Sequence, residues 1–321
     1  MKFKLEFNIA KSDTYIEYGQ TITSLGSCFS YNMIQKILKY KFHVIDHKLG
    51  SLYNPHSIFN CIKKSIQKIY YKSVLIDGMY MSFDLHSDMR ATSKAEFNLL
   101  CESKMNILHQ GLKKSEWLMI TLGTAWSHKY LNSNTLVANC HKLPQKLFKK
   151  ELLSVEFILQ EFKELYTLLK QFNPKLKILF TISPVRHIQE GLPENTISKS
   201  ILHLAVHKII KKFSQCYYFP AYEIMIDELR DYRFYKTDLI HPNELAIDYI
   251  WTQFTGTFFN GTTLKIYTEL KVLLKSIEHK PFNPNSDQHQ KFIKKLLYKT
   301  KAFSDNVDLK KEIEQLLKLL K

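Results

Sequence analysis

The sequence predicts an α/β protein built on a parallel sheet, and three observations carry that reading. Thr21–Leu25 is short and rich in β-branched residues, turns tightly at Gly26-Ser27-Cys28-Phe29, and gives way to Asn32–Leu38, whose apolar residues recur at helical spacing. Trp117–Leu122 and Lys177–Ile182 are near-continuous apolar runs, as parallel strands covered on both faces should be. Long amphipathic helical patterns separate these runs. The chain has 321 residues, 45% of them hydrophobic and 13% aromatic, enough to bury a sizeable core in one large or two smaller domains.

In chain order, Met1–Gln20 reads as a lead-in or edge strand, and Thr21–Leu25 as the first strand. A helix runs to about Lys39, and Phe42–Ile45 is a second short strand. Asn54 before Pro55 is a strong helix start, with Asn as cap and Pro in the first turn. Val74–Thr92 reads as irregular and Lys94–Lys113 as helical. The strand Trp117–Leu122 ends at Gly123, where the missing side chain lets backbone approach a ligand. Tyr130–Leu147 reads as a loop, Ser154–Phe172 as a helix stopped by Asn173-Pro174, and Lys177–Ile182 as a buried strand. A helix over 196–212 leads to a last strand near Tyr217–Pro220, then to a helix over Ala221–Arg230. From Trp251 onward the pattern is one of charged helices, broken at Phe282–Asn285. The expected organisation is an α/β domain over 1–260 and a helical C-terminal extension over 261–321.

Composition excludes several classes. Mean hydropathy is -0.23, and no apolar run reaches the roughly 18 residues of a membrane span. The N-terminus lacks the apolar core of a signal peptide, so a cytoplasmic location is expected. Five cysteines at irregular spacing, with no CxxC, fit free thiols rather than a disulfide frame or a zinc ribbon. No metal or cofactor is expected. The net charge is +16, but 42 of the 46 basic residues are Lys, spread along solvated helix faces. Phosphate readers favour Arg forks or clustered basic patches, so nucleic acid is not the expected partner. The four Arg stand out against that background, because Arg supplies a planar bidentate donor. Arg186, Arg230 and Arg233 fall in segments that look functional on other grounds.

Two segments carry the chemistry. At Gly26-Ser27-Cys28, two nucleophilic side chains sit where a strand ends and a helix begins. Backbone N–H groups and the helix dipole favour a developing anion there. The bland alternative is a tight turn with Ser27 as helix cap. In the second segment, Asp238 and His241 lie three apart in a loop before a helix near Pro242. A carboxylate at that spacing can fix one imidazole tautomer and leave the other nitrogen free as a base. A nucleophile early in the chain, followed late by Asp and His, is an order found in acyl-transfer sites on α/β sheets.

The segments TSLGSCFS, LYNPHSI, TLGTAW, VANCHK, TISPVRH and YFPAYEIMIDELRDYRFYKTDLIHP resemble the GSCFA family, a branch of the SGNH/GDSL hydrolase superfamily, over roughly residues 20–260. The resemblance implies a three-layer α/β/α fold with a flavodoxin-like parallel sheet, and an esterase, lipase or acyltransferase ancestry. It implies that Cys28 stands at the nucleophile position, with Ser27 the alternative if the alignment shifts by one. It places Gly50 as an oxyanion donor and Asp238 and His241 as the remaining catalytic pair. The third block retains Gly123, followed by Thr124, but carries Ala125 where the superfamily has Asn. Asn54 or Asn139 would then replace that donor. Arg186, His187, Arg233 and His141 complete the candidate substrate contacts, the first three for an anionic part of the substrate. A thiolate at Cys28 beside His241 is expected to have a lowered pKa. The expected reading is an SGNH-like hydrolase or acyltransferase acting on a small-molecule or carbohydrate ester or thioester. Its alternative is an inert binding module for a carbohydrate or acidic polymer on the same fold. The sequence leaves oligomeric state open.

Overall fold

The computed structural model describes residues 5–279, 281–284, 286–304 and 307–320. The part of the lead-in at 1–4, Asn285 of the expected break and the last residue of the C-terminal helix lie outside them.

The central sheet has five parallel strands: β1 (Thr21–Gly26), β2 (His43–Ile45), β5 (Trp117–Leu122), β9 (Lys177–Ile182) and β10 (Cys216–Phe219). Their spatial order is β2-β1-β5-β9-β10. Counted among the parallel strands alone this is 2-1-3-4-5, the flavodoxin-like doubly wound order, in which the switch point lies between the first and third strands. Those strands are β1 and β5, and their paired ends are Gly26 and Thr121.

Period-two alternation sorts each strand between two apolar layers. Leu118, Ile120 and Leu122 of β5 and Ile178, Phe180 and Ile182 of β9 face one layer. That layer is filled by helices α2 (Pro55–Gln67), α3 (Lys94–Lys114), α4 (Val155–Phe172) and α5 (Leu192–Lys212). Trp117, Met119 and Leu179 face the other. There they meet α1 (Cys28–Lys39), α7 (Glu244–Phe258) and the C-terminal helices α8 (Gly261–Ile277), α9 (Asp287–Phe303) and α10 (Lys310–Leu319). The result is a three-layer α/β/α sandwich whose C-terminal helices share the second apolar layer.

Local chemistry sets the helix starts. Asn54, Ser93, Ser154, Asn243, Asn260 and Ser286 each accept a backbone N–H from the first turn of the helix that follows.

Four segments differ from the sequence reading. The lead-in makes no edge strand over its described part; Ile16 forms an isolated parallel bridge to Phe259. Val74–Thr92 contains a hairpin, β3 (Val74–Ile76) and β4 (Met79–Met81), turned by Asp77 and Gly78 at positive φ. Tyr130–Leu147 is not a plain loop, because β6 (Trp126–Tyr130), β7 (Thr135–Val137) and β8 (Phe148–Leu152) form a separate antiparallel sheet. The helix over 221–230 is only α6 (Ala221–Glu223), widening into one π-helical turn at Ile224–Glu228.

Candidate active site

The turn after β1 is held by geometry that only glycine tolerates. Gly26 has φ +141°, and a Cβ there would lie 2.8 Å from both the carbonyl carbon and the nitrogen of Thr121 on the neighbouring strand. The backbone can therefore pass close against β5 and deliver Ser27 and Cys28 at the switch point. Ser27 caps α1 by backbone conformation alone; its side chain makes no cap bond, and its buried Oγ has no partner among the described residues. Cys28 is the first residue of α1.

The second half of the site comes from the loop before α7. Tyr235 and Pro242 form an antiparallel bridge, and the Lys236 amide donates to the His241 carbonyl at 2.8 Å. Leu239 is held at φ +59°, an uncommon conformation for a bulky residue that the closed loop imposes. Inside this loop Asp238 Oδ1 accepts from the amides of Ile240 and His241, each at 2.9 Å. Its Oδ2 lies 2.7 Å from His241 Nδ1. The two amides and the imidazole hold the Asp238 carboxyl down at about 2, so it stays ionised at neutral pH. The far imidazole nitrogen, Nε2, lies 3.6 Å from Cys28 Sγ. The chain thus brings Cys28, His241 and Asp238 into one line of contacts, thiol to imidazole to carboxylate.

The thiol does not follow the expected direction. Burial pushes the Cys28 pKa up. The amides of Cys28 and Phe29 at the start of α1, and the charges of Lys199 and Lys236, pull the other way without overcoming it. Cys28 rests as a thiol, and ionising it takes a base.

A cavity of about 370 Å³ opens over Cys28, with Ser27, Gly123, Ser183, His187 and His241 among its walls and Val185, Ile188 and Ile240 as its apolar part. It adjoins a larger cleft of about 780 Å³, and Tyr53, His187 and Gln189 line both. That cleft also carries Asn54, Thr124, Trp126, Asn139 and Cys140.

Each remaining candidate has a definite place. Arg186 lines the Cys28 cavity, but its guanidinium stacks 4.5 Å from the Tyr235 ring centre and donates to the Leu239 carbonyl at 3.3 Å. It braces the Asp238–His241 loop. His187 pairs with Glu190 at 2.8 Å, and Glu190 also meets Lys150. Arg233 points away, paired with Asp231 at 2.8 Å on the surface. Asn54 lines the adjoining cleft while its Oδ1 caps α2 at 2.8 Å. Asn139 accepts from the His141 amide and donates to Ser87; the buried His141 ring contacts the Ser82 carbonyl at 2.8 Å. Gly50, at φ +82°, packs against the His86 side chain and is not among the walls of the Cys28 cavity. Gly123 is one of those walls, but its amide donates to the Tyr53 carbonyl at 2.7 Å, as does that of Thr124 at 3.2 Å. The Thr124 hydroxyl is spent on Ser198.

Sequence reasoning missed Lys199. This side chain is only 2% exposed, and its Nζ donates to the carbonyls of Gly123 and Ser183 at 2.7 and 2.8 Å. Both residues line the Cys28 cavity. Burial brings its ammonium down to about 7. The available signal was register: Asn195, Ser198, Lys199, Leu202 and Val206 fall on one buried stripe of α5. Among the described residues no group of three or more His, Cys, Asp or Glu side chains gathers as a metal site would. No described helix is long and apolar enough to cross a membrane.

The GSCFA family model matches residues 21–254 of this sequence, from the first strand into α7. The chain belongs to the GSCFA family. A second model, the C-terminal domain of GSCFA domain proteins, matches 271–321, so both parts of the GSCFA pattern are present. No curated protein matches at the sequence level. A solved structure similar to this GSCFA chain is an acetyl xylan esterase (Est2A) from the rumen bacterium Butyrivibrio proteoclasticus, at 8% identity and TM-score 0.30. That similarity covers 63% of this chain and 55% of the esterase, so this chain spans little more than half the length of its structural neighbour.

Proposed function

We propose that this GSCFA protein is a cysteine-dependent acyl-transfer enzyme, a hydrolase or acyltransferase acting on an ester or thioester. One observation carries the reading: Cys28 Sγ lies 3.6 Å from His241 Nε2, with His241 Nδ1 anchored 2.7 Å from Asp238. In this mechanism His241 takes the thiol proton as Sγ bonds to the substrate carbonyl carbon. The tetrahedral adduct collapses, and the departing alcohol or thiol takes that proton from His241. The acyl group remains as a thioester on Cys28. Water or an acceptor hydroxyl then gives its proton to His241 and attacks the thioester, and the released sulfur is reprotonated. Asp238 holds the imidazole and balances its charge throughout. The Cys28 cavity accommodates the acyl carbonyl, and the adjoining cleft gives the leaving group or acceptor a polar wall.

The inert-module reading draws on the thin oxyanion provision: Ala125 stands where an Asn donor would, and the Gly123 amide is already bonded. Intact-protein mass separates the two. After exposure to activated esters such as p-nitrophenyl acetate, a transient adduct that depends on Cys28 and His241 is expected. Absence of any adduct at Cys28, with the wild-type protein folded, favours the binding module.

A further inference from the structure

The least expected side chain in the molecule is Lys199. Lysine is seldom buried without a partner, since transferring an ammonium out of water is costly. Here the ammonium ties together the carbonyls that follow two adjacent strands, Gly123 after β5 and Ser183 after β9, at 2.7 and 2.8 Å. Those strands are neighbours in the sheet, and both carbonyl-bearing residues form walls of the Cys28 cavity. A Cβ at Gly123 would lie 3.3 Å from Ser27 Cβ, so the tie sits directly against the nucleophile turn. The Tyr222 ring covers the same Nζ at 5.6 Å to its centre. An apolar side chain of similar length, such as Met, would satisfy neither carbonyl. What the position supplies is a buried amine under the site that carries a positive charge when protonated.

We infer that Lys199 is a positioning residue that pins the floor of the Cys28 cavity and, through its buried charge, favours the Cys28 thiolate. The inference rests on Cys28 being the nucleophile of the proposed reaction. The titratable groups facing Lys199 are Cys28 on α1, Tyr222 on α6 and His203 further along α5. Those facing Cys28 are Lys199, Lys236, His241 and Tyr53. Lys199 and Cys28 act on each other in opposite directions: the lysine charge lowers the thiol, and a thiolate raises the lysine. The lysine's own titration near 7 therefore bounds the effect. Below that pH the cation is present before the thiolate forms, and its assistance is complete. As pH rises through it, the resting lysine loses its proton and the assistance fades.

The test is the rate of Cys28 alkylation by iodoacetamide, followed by intact mass and peptide mapping from pH 5 to 9. Wild type, Lys199→Met and Lys199→Arg are compared, each also carrying His241→Ala so that the imidazole does not contribute. Lys199→Met is expected to react about tenfold more slowly below pH 7, corresponding to about one unit of thiol pKa. The gap should close above pH 8, and Lys199→Arg should recover most of the rate. Equal rates for Lys199→Met and its parent across the range overturn the inference. Should Lys199→Met fail to fold, Lys199→Gln, which can still donate to a carbonyl but carries no charge, takes its place, with the same slowing expected and equal rates again overturning the inference. Alkylation reads the thiol and not acyl transfer. A lysine-dependent profile without any acyl adduct would sink the proposed enzyme and leave the electrostatic role standing.

Discussion

Gly26 offers the sharpest test of how the fold presents Cys28, and Gly256 is its internal control. Gly26 pairs with Thr121 across the two central strands and sits at φ +141°. Replacing it with Ala places a methyl 2.8 Å from the Thr121 carbonyl carbon and nitrogen, and closer still to the oxygen. The obstruction is backbone of a fully buried strand, so no flexible side chain can move aside. The forced backbone conformation costs on the order of 1–3 kcal/mol, and overpacking adds a further 1–3 kcal/mol. A loss of about 4 kcal/mol is therefore expected. Gly256 lies in the exposed part of α7, with nothing within 4 Å of where a Cβ would go. Ala there should stabilise by about 0.5–1 kcal/mol, by removing the backbone freedom glycine gives up in a helix. Urea-unfolding midpoints on both variants measure the pair. Shifts of the same sign and size in the two variants would refute the reasoning, as would a Gly26→Ala protein within about 1 kcal/mol of wild type by that measurement.

Ser27→Ala removes a buried hydroxyl that has no partner among the described residues, so stability should stay within about 1 kcal/mol and Cys28 labelling should persist by intact mass. Labelling lost in Ser27→Ala but kept in Cys28→Ala would move the nucleophile by one position. Asp238→Asn should cut acyl-adduct turnover by about ten-thousandfold, as expected when an imidazole loses the carboxylate that fixes its tautomer, while circular dichroism stays unchanged. The Asp238 carboxyl is depressed to about 2, so its ionised contribution is complete above the ordinary carboxylate range and lost only as pH falls toward 2. The wild-type rate profile should accordingly show no Asp238 step between pH 4 and 8. Leu316→Ala, at a position 0% exposed in α10, should lower stability by about 2–5 kcal/mol in chemical denaturation.

How far the sequence could be read depended on how much burial each segment carries. β5 and β9 are legible because both faces are covered, which leaves unbroken apolar runs. The small sheet β6–β7–β8 was not, because its strands are half exposed and read as mixed polar text such as Phe148–Leu152, with Lys149 and Lys150 inside it. α5 begins at Leu192 rather than at Thr196, since Pro193 can occupy the first turn without a missing hydrogen bond. In the site, the Asp238–His241 spacing was readable because both partners belong to one short loop. Lys199 was not, because a lysine in a lysine-rich helix looks solvated until the fold turns that stripe inward. The Cys28 thiol was read in the wrong direction for a related reason. Helix-terminal amides are visible in sequence, and the burial that outweighs them is not.

The proposed chemistry also accounts for why a sulfur would stand at this turn. In the proposed reaction the site is short of one amide donor, because Ala125 has no side-chain N–H and the Gly123 amide is bonded to Tyr53. Removing an oxyanion donor costs on the order of 3 kcal/mol in an acyl-transfer transition state. That equals roughly two units of nucleophile pKa, since each unit is worth about 1.4 kcal/mol. A cysteine thiol ionises far more readily than a serine hydroxyl, so even with its pKa raised by burial it loses its proton to an imidazole at a smaller cost. The easier ionisation offsets the missing donor. A Cys28→Ser variant should therefore retain the geometry and lose the adduct chemistry, because the hydroxyl keeps the thin oxyanion provision and surrenders the offset. Adduct formation by that variant at or above the wild-type rate in the p-nitrophenyl acetate assay would show that the oxyanion is stabilised by donors other than those counted.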